Sequence, residues 1–296
     1  MNYRGCEISE GNGAVSVKGI EDFNPVHIFE CGQCFRWRKE NDGSYTGVAG
    51  GRVVNVAYDN KGTLKIENSS IEDFLTIWFE YFDLGRDYSL IKRSLARDGI
   101  MEKATEFGCG IRILKQDLWE TLISFIISAN NRIPMIMKVV EAISRDFGKE
   151  IIFNGKKYYA FPGPGNLADA GLEQLKACRG GFRCRYIANT ARVIRDGAVD
   201  IDKLNRMETG EARDELMRLP GVGRKVADCV LLYGGARYEV FPTDLWIKRV
   251  MEELYFKRKA SLREIHEFAE KRFGKLAGFA QQYLFYYARE NRIGAQ

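Results

Sequence analysis

The sequence predicts an α+β protein in which a twisted antiparallel β-sheet forms an N-terminal domain packed on a mostly α-helical domain. Residues 1–110 contain short segments that alternate apolar with polar residues or are rich in Val, Tyr and Thr, with Gly, Asn and Asp turns between them. Residues 111–296 contain longer segments with the apolar spacing of helices. A tight Gly-x-Gly turn joins two such helical segments at about residues 211–233.

Five segments predict the strands of the N-terminal domain. Short turns such as "NDGS" (41–44) separate them, and such turns join antiparallel neighbours. The segments are "GAVSVKG" (13–19), "CFRWR" (34–38), "SYTGVAG" (44–50), "GRVVNVAY" (51–58) and "GTLKIEN" (62–68).

Apolar spacing predicts the helices of the second domain. The segment "QDLWETLISFIIS" (116–128) is nearly all apolar and predicts a buried helix. The segment "IPMIMKVVEAISRDFG" (133–148) has a proline in its first turn and ends at a glycine, as helices often do. The others are "CRYIANTARVIRDG" (184–197), "SLREIHEFAEKRFG" (261–274), where Ser261 and Glu264 predict a capping box, and "FAQQYLFYYAREN" (279–291).

Composition limits the classes of function. A net charge of +5 over 296 residues permits a nucleic-acid partner without indicating one. No apolar run approaches the roughly 20 residues that span a bilayer, and the N-terminus lacks a secretory signal. We therefore expect a cytoplasmic protein, associated with the nucleoid if the source is bacterial. Seven dispersed cysteines indicate free thiols, and "CGQC" (31–34) has no second ligand pair for zinc, so no metal or other cofactor is expected.

The stretch "LPGVGRKVADC" (219–229) predicts a helix–hairpin–helix between "EARDELMRL" (211–219) and "KVADCVLLYGG" (225–235). A P-loop would follow a strand, separate its glycines by four residues and place Ser or Thr after the lysine. Gly221 and Gly223 instead permit close backbone approach at a helix N-terminus, where free N–H groups favour a DNA phosphate. The alternative is a helix C-cap glycine followed by an ordinary loop.

Lys225 and Asp244 are the candidate catalytic residues. Lys225 lies in the first turn of the second helix, where the positive end of the helix dipole and partial burial favour a neutral, nucleophilic amine. The alternative is a solvated lysine paired with Asp228 at i+3. Asp244, in "FPTDLWIKRV" (241–250), precedes an amphipathic helix, where most aspartates are only N-caps.

Together these segments resemble the helix–hairpin–helix, Gly/Pro-rich loop and aspartate of the DNA glycosylase superfamily named after them, and within it the 8-oxoguanine DNA glycosylase/AP lyase family. Further segments occur in the family's order and extend the resemblance over nearly the whole chain. They are "CGQCFRW" (31–37), which resembles its Gly-Gln-x-Phe-Arg-Trp strand, "FIISANNRI" (125–133), which resembles its Asn-rich loop, and the later signatures "GGFRCRYI" (180–187) and "FAQQYLF" (279–285).

The resemblance implies covalent chemistry for the catalytic pair. Lys225 would attack the sugar C1′, displace the damaged base and hold the sugar as a Schiff base for β-elimination. Asp244 would stay ionised, stabilise the cationic transition state and help to move protons. The cap and catalytic interpretations of Asp244 agree, because N–H donors stabilise a carboxylate.

The resemblance also implies a pocket for a base that leaves the duplex stack. Phe285 would stack on this base, Gln281 would hydrogen-bond to its Watson–Crick edge, and Cys229 would pack on its other face. The Gly32 carbonyl would accept the N7 proton that 8-oxoguanine has and guanine lacks, and Pro242 would line the pocket. The alternatives place Phe285 and Cys229 in the core and Gly32 in a turn or bulge.

Other residues are implied to contact the duplex. Asn130 would enter the gap left by the flipped base, although an Asn before a helix is by default an N-cap. Phe182 and Arg183 match residues that wedge beside the orphaned opposite base and hydrogen-bond to it. Lys259, in "FKRK" (256–259), would join a phosphate-binding patch, with a solvated basic run as the alternative.

Two departures from the family pattern bear on the contacts to DNA. Met135 stands where an arginine reads the opposite cytosine, so weaker discrimination of the opposite base is expected. Trp246 stands where a histidine often follows the catalytic aspartate, which leaves the phosphate contact of that position open.

We therefore expect a bifunctional DNA glycosylase/AP lyase that acts as a monomer on damaged double-stranded DNA, with no membrane and no obligate protein partner. No cysteine follows Cys229, which argues against the iron–sulfur enzymes endonuclease III and the adenine-mispair glycosylases. Lys225 argues against the alkyladenine glycosylases. The remaining alternatives are a non-catalytic helix–hairpin–helix DNA-binding module and a glycosylase for a different damaged base.

Overall fold

The computed structural model describes residues 1–59 and 61–295. Its strands are β1 (Asn2–Tyr3), β2 (Cys6–Gly11), β3 (Ala14–Lys18), β4 (Trp37–Lys39), β5 (Tyr45–Ala49), β6 (Arg52–Tyr58), β7 (Thr63–Glu67), β8 (Glu150–Phe153) and β9 (Lys156–Tyr159). The first seven form one antiparallel sheet in the order β1-β2-β3-β7-β6-β5-β4, and β8 and β9 form a separate hairpin.

The centre of the sheet buries β-branched and leucine side chains on one face. Val15 and Val17 of β3 pair with Ile66 and Leu64 of β7, and Val56 of β6 also pairs with Ile66. All five are at most 1% exposed. Because side chains alternate between the faces of a strand, the apolar alternation of the sequence places these residues on one buried side.

The helices are α1 (Pro25–Phe29), α2 (Ile71–Asp73), α3 (Phe79–Tyr81), α4 (Tyr88–Leu95), α5 (Gly99–Phe107), α6 (Leu118–Ser128), α7 (Ile133–Phe147), α8 (Pro164–Asp169), α9 (Leu172–Ala177), α10 (Arg183–Arg195), α11 (Thr209–Met217), α12 (Arg224–Tyr233), α13 (Leu245–Met251), α14 (Leu262–Phe273) and α15 (Ala277–Glu290). A π-helical stretch joins α2 to α3 and another follows α13, and 3₁₀ turns precede α11 and α15. No helix of the described ranges combines the length and apolarity that crossing a membrane requires.

Two hydrophobic cores meet at the segment 111–114. Ile111 and Ile113 are buried in the core formed by the helices, whereas Leu114 is buried in the core beneath the sheet. Arg112 lies between them and is itself 4% exposed. This extended segment therefore joins the two cores through alternate residues.

The α+β fold with an N-terminal antiparallel sheet is confirmed, and so is the capping box of α14, in which the Glu264 N–H donates to Ser261 Oγ and the Ser261 N–H to Glu264 Oε2. The expected strand "CFRWR" is wrong in its first half, since β4 begins only at Trp37. The preceding residues form a turn in which Gly32 has a φ of +85°. The helices α4 and α5 were not predicted, and their apolar faces pack in the helical core although they precede residue 110. The boundary near residue 110 stays a prediction.

Candidate active site

One cleft contains both candidate catalytic residues and all five residues of the expected base pocket. It encloses about 560 Å³, including the solvent at its mouth. Its lining includes Lys225, Asp244, Gly32, Cys229, Pro242, Gln281 and Phe285. The turn around Gly32, the helix α12 and the helix α15 therefore meet at one place, although they are far apart in sequence.

Lys225 is half-buried in the first turn of α12 and points into this cleft. Its ammonium nitrogen donates to Ser128 Oγ over 3.2 Å and lies 5.2 Å from the centre of the Phe125 ring. The alternative pairing with Asp228 is wrong, because Asp228 binds Arg213 at 2.6 Å and Arg224 at 3.7 Å. Lys225 makes no ion pair with a carboxylate in the described ranges. Its amine is thus beside a hydroxyl and an aromatic ring.

The residues of α12 that line the cleft lie on one face of the helix. Lys225, Cys229 and Tyr233 follow each other at intervals of four, which places them one above the other. Burial raises the pKa of the Cys229 thiol to about 12, against a smaller opposite effect of Lys225. Cys229 is therefore a neutral, apolar wall of the cleft near pH 7, next to the lysine.

Asp244 is both a helix cap and a residue of the cleft. Its Oδ1 accepts the Ile247 N–H over 2.8 Å, so the residue is the N-cap of α13. It also lines the cleft together with Lys225. A carboxylate whose position is fixed by a helix cap can therefore face the same ligand as the lysine.

The far wall of the cleft provides hydrogen-bonding and stacking groups. Gln281 is 5% exposed, and its Oε1 is buried with no hydrogen-bond partner among the described residues. Such an atom is costly to bury unless a ligand or solvent satisfies it. Phe285 is half-buried and presents its ring near Gly32, where an added Cβ would lie 3.0 Å from Phe285 Cε1.

Sequence reasoning missed the side chains that support this arrangement. Ser128 and Phe125 belong to segments that predicted a buried helix and the Asn-rich loop but gave these two residues no role, and Tyr233 ends α12 without any motif. Gln33 is fully buried, with its amide donating to the carbonyls of Ile28 and Arg112. The resemblance contained Gln33 as a motif letter, but only the structure shows that it holds the turn around Gly32.

The loop between α6 and α7 presents Asn130 at its exposed tip with a φ of +50°. The alternative that Asn130 caps α7 is wrong, because the N-cap residue is Arg132. Arg183 is buried, and its Nε and Nη2 donate to the carbonyls of Ala129 and Asn130, the latter at 2.8 Å. The guanidinium thus supports the loop, a role that the sequence did not predict, and its contact with an opposite base stays a prediction.

Phe182 and Lys259 are both surface residues. Phe182 is 60% exposed and lies directly before α10, which fits an aromatic wedge beside a duplex. Lys259 has an 84% exposed side chain, and its ammonium lies 3.4 Å from a carboxylate oxygen of Glu252. Neither residue lines the cleft. Their contacts with DNA stay predictions.

The two hairpin glycines differ in their surroundings. Gly221 has a φ of +81°, and an added Cβ would lie 2.7 Å from Tyr186 Cγ, so the hairpin itself demands a glycine there. Gly223 has an ordinary φ of −94°, and an added Cβ would meet no atom within 4 Å. Among the residues that the structure describes, no side chain caps the N-terminus of α12. The open space at Gly223 leaves these N–H groups accessible to an anion.

Within residues 1–59 and 61–295, no group of three or more His, Cys, Asp or Glu side chains has the geometry of a metal site. All seven cysteines are free thiols, and Cys31 and Cys34 are buried in the turn around Gly32.

Two family models match the chain. The model of the 8-oxoguanine DNA glycosylase N-terminal domain matches residues 16–122, and the model of the HhH-GPD superfamily of base excision DNA repair proteins matches residues 123–275.

Solved structures and a curated protein show the same likeness. A structure of MBOgg1 with a low-affinity DNA ligand is 53% identical, with a TM-score of 0.95 over 97% of this chain and 99% of that one. An 8-oxoguanine glycosylase/lyase from Clostridium acetobutylicum, bound to duplex DNA with cytosine opposite 8-oxoguanine, is 44% identical, with a TM-score of 0.94 over the same shares. A probable N-glycosylase/DNA lyase of Methanothermobacter thermautotrophicus is 36% identical over 204 residues. The matched region covers 62% of this chain and 65% of that protein's length.

Proposed function

Because the chain belongs to the HhH-GPD superfamily of base excision DNA repair proteins, we propose that it excises 8-oxoguanine from duplex DNA and then cleaves the strand at the abasic site. The observation that supports this most directly is the cleft in which Lys225, Asp244 and the unsatisfied amide oxygen of Gln281 come together. A non-catalytic DNA-binding module needs the hairpin glycines but has no use for these three groups.

In the proposed reaction the Lys225 amine is the nucleophile. Its lone pair forms a bond to C1′ as the C1′–N9 bond breaks, and the electron pair of that bond leaves with the base, which takes up a proton. The sugar ring opens as the nitrogen forms a C1′=N Schiff base. Loss of a C2′ proton then expels the 3′ phosphate, and water releases the lysine. The nearby Ser128 hydroxyl orients the amine before attack.

Asp244 supplies the negative charge for this reaction. The developing positive charge on the sugar is stabilised by a carboxylate that is fixed in place before the reaction begins. The cap of α13 provides that fixation through the Ile247 N–H. The carboxylate can also accept and return protons during ring opening and β-elimination.

The base would enter the pocket between Phe285 and Cys229. A neutral thiol and an aromatic ring give two apolar faces, and Gln281 offers a free acceptor at the edge of the base. The carbonyl of Gly32 would accept the N7–H of 8-oxoguanine and repel the N7 lone pair of guanine. This difference would select the damaged base.

Contacts with the duplex would come from the surface around the cleft. The backbone of Gly221 and Gly223 would bind a phosphate at the N-terminus of α12, and Lys259 another. Asn130 and Phe182 would fill the gap and wedge the strand, and Arg183 would meet the opposite base. We also propose that the protein acts on DNA as a monomer in the cytoplasm, at the nucleoid if the source is bacterial, without a protein partner.

Discrimination of the opposite base is proposed to be weak. Met135, which replaces the arginine of the family pattern, is 45% exposed beside the Asn130 loop and offers no hydrogen-bond donor. The donors of Arg183 that are bound to the loop carbonyls are not free to read a base edge without breaking those bonds.

Borohydride trapping tests the proposed chemistry. The protein is incubated with a duplex that contains one 8-oxoguanine, and the Schiff base is reduced to a stable protein–DNA adduct. We expect an adduct with the wild type, none with Lys225→Gln, and an undiminished adduct with Lys176→Gln, since Lys176 is a surface residue paired with Glu173. A wild type that binds the duplex without forming an adduct would favour a binding module. An adduct that forms only on a different lesion would identify another damaged base.

A further inference from the structure

A chain of buried hydrogen bonds connects α12 and α15 to the turn that contains Gly32. The Tyr233 hydroxyl donates to Gln282 Oε1 over 2.7 Å, and Gln282 Nε2 donates to the carbonyl of Cys31 over 3.0 Å. The two side chains are 4% and 1% exposed. Burial raises the pKa of the Tyr233 phenol well above its ordinary value, so the hydroxyl remains a donor.

The residue after Gly32 is held by Gln116, which lies just before α6 and is itself hydrogen-bonded to the end of α12. Gln116 Nε2 donates to the carbonyl of Gln33 over 2.8 Å, and the backbone N–H of Gln116 donates to the carbonyl of Tyr233 over 2.7 Å. The carbonyls on both sides of Gly32 are therefore occupied. The Gly32 carbonyl itself accepts no hydrogen bond from the described residues, which leaves it available to a ligand.

Both helices that hold the turn also present the groups expected to act on the nucleotide. On α12, Lys225 lies in the first turn and Tyr233 is the last residue of the same face. On α15, Gln281 and Gln282 are neighbours, about 100° apart around the helix axis. Gln281 lines the cleft, whereas Gln282 contacts the turn. The position of the Gly32 carbonyl is thus tied to both the nucleophile and the amide that faces the base.

We infer that Gln282 and Tyr233 are positioning residues that hold the Gly32 carbonyl where it can distinguish 8-oxoguanine from guanine. The inference rests on the function proposed above. One carbonyl oxygen must meet an N–H in the correct base and a lone pair in the wrong one, and both effects weaken steeply with displacement. A turn with a left-handed residue at its centre has no regular secondary structure to fix it, so its position depends on side-chain bonds, these two together with those of Gln33.

The test compares base excision with cleavage of an abasic site already present in the duplex. The second reaction needs Lys225 but has no base to recognise. We expect Tyr233→Phe to lower single-turnover excision of 8-oxoguanine about fivefold and Gln282→Leu by tenfold or more, with abasic-site cleavage unchanged within about twofold. Tyr283→Phe is the matched control, because the Tyr283 hydroxyl is equally buried on α15 but has no hydrogen-bond partner in the described ranges.

Equal excision by the wild type, Gln282→Leu and Tyr233→Phe would overturn the inference. So would a parallel loss of both activities that follows a lowered unfolding temperature, since this would show a merely structural role. Amide hydrogen exchange of residues 31–34 gives a reading independent of activity. It should accelerate in both variants and not in Tyr283→Phe. Failure of the proposed function would appear differently, as a wild type that excises no 8-oxoguanine while exchange at the turn still responds to the variants.

Discussion

Gly32 occupies a position where the backbone is left-handed and a side chain has no room. Its φ of +85° is open to glycine at little cost, whereas other residues are strained there. An added Cβ would also lie 3.0 Å from Phe285 Cε1 and 3.5 Å from Ile133 Cδ1. Any substitution must therefore move either the turn or the ring that is proposed to stack on the base.

We expect Gly32→Ala to impair recognition of the base more than the chemistry at the sugar. Backbone strain of this kind costs about 1–3 kcal/mol, which corresponds to a loss of roughly fivefold to 150-fold in single-turnover excision of 8-oxoguanine. Cleavage of an abasic site should change little. The control is Gly163→Ala, at a position with a φ of −66° and no atom within 4 Å of an added Cβ. A proportional loss of both activities in Gly32→Ala would contradict this prediction.

Among the elements, the loop between α6 and α7 is held in place by a residue that is distant in sequence. Asn130 adopts a left-handed conformation at the tip, and the carbonyl of Asn130 accepts a hydrogen bond from Arg183 at the start of α10. Met135, in the first turn of α7, is exposed beside this loop. Arg183 therefore supports the loop from the protein side, while the amide of Asn130 and the thioether of Met135 face the solvent.

From this loop we predict a flat profile of excision opposite the four bases. A bidentate contact with the correct base typically contributes about 1–3 kcal/mol of discrimination, and neither Met135 nor the bound donors of Arg183 supply one. Single-turnover rates on duplexes with 8-oxoguanine opposite C, A, G or T should thus agree within about tenfold. A hundredfold preference for cytosine would show that Arg183 leaves the loop carbonyls to read the base.

The two helices of the hairpin are also held together on the side away from the cleft. Asp228 of α12 is 1% exposed and binds Arg213 of α11 and Arg224 of α12. His266 of α14 lines the same cavity, and its Nε2 is buried without a partner in the described ranges. Glu239, Glu270 and Lys275 are the other charged groups that face this cavity.

His266 should make the stability of this element dependent on pH. Burial, with smaller contributions from Arg224 and Arg213, lowers the pKa of His266 from 6.5 to about 4. The unfolded chain then binds a proton below pH 6.5 that the folded chain does not, so the contribution is complete above pH 6.5 and is lost as the pH falls towards 4. Between pH 8 and pH 5 the unfolding temperature of the wild type should fall about 2–4 °C more than that of His266→Gln. A difference between the two proteins that does not change with pH would contradict this.

The elements with periodic apolar patterns could be predicted from the sequence, and the supports of the site could not. The pattern of 116–128 predicted α6, and the motif around Gly221 predicted the start of α12. The helices α4 and α5 are short, and α5 packs on α15 and on α4, contacts between distant segments that no local pattern reports. Asp228 binds Arg213 rather than Lys225, because the packing of α11 against α12 brings the Arg213 guanidinium within 2.6 Å of the carboxylate, a contact between helices that local spacing does not predict.

At the scale of the whole molecule, the segment 111–114 connects the two cores to the candidate site. Arg112 donates to the carbonyls of Glu21 at 2.7 Å, Asp22 at 3.0 Å and Asp83 at 2.8 Å. Its own carbonyl accepts a hydrogen bond from Gln33 at 2.8 Å. Arg112 therefore links two segments beside the sheet core, residues 21–22 and Asp83, to the turn that presents Gly32.

Replacing Arg112 should consequently lower both stability and base excision. Arg112→Met would remove the charged donor from the carbonyls of Glu21, Asp22 and Asp83, which we expect to lower the free energy of unfolding by about 3 kcal/mol. Urea denaturation measures this loss, with Arg93→Met as the control because Arg93 is exposed. At urea concentrations where the variant is still folded, its excision of 8-oxoguanine should fall further below the wild-type rate than its cleavage of an abasic site. The reason is that the backbone carbonyl to which Gln33 donates is no longer held in place by the arginine side chain. An unfolding free energy within about 0.5 kcal/mol of the control would mean that the two cores hold together without the Arg112 side chain.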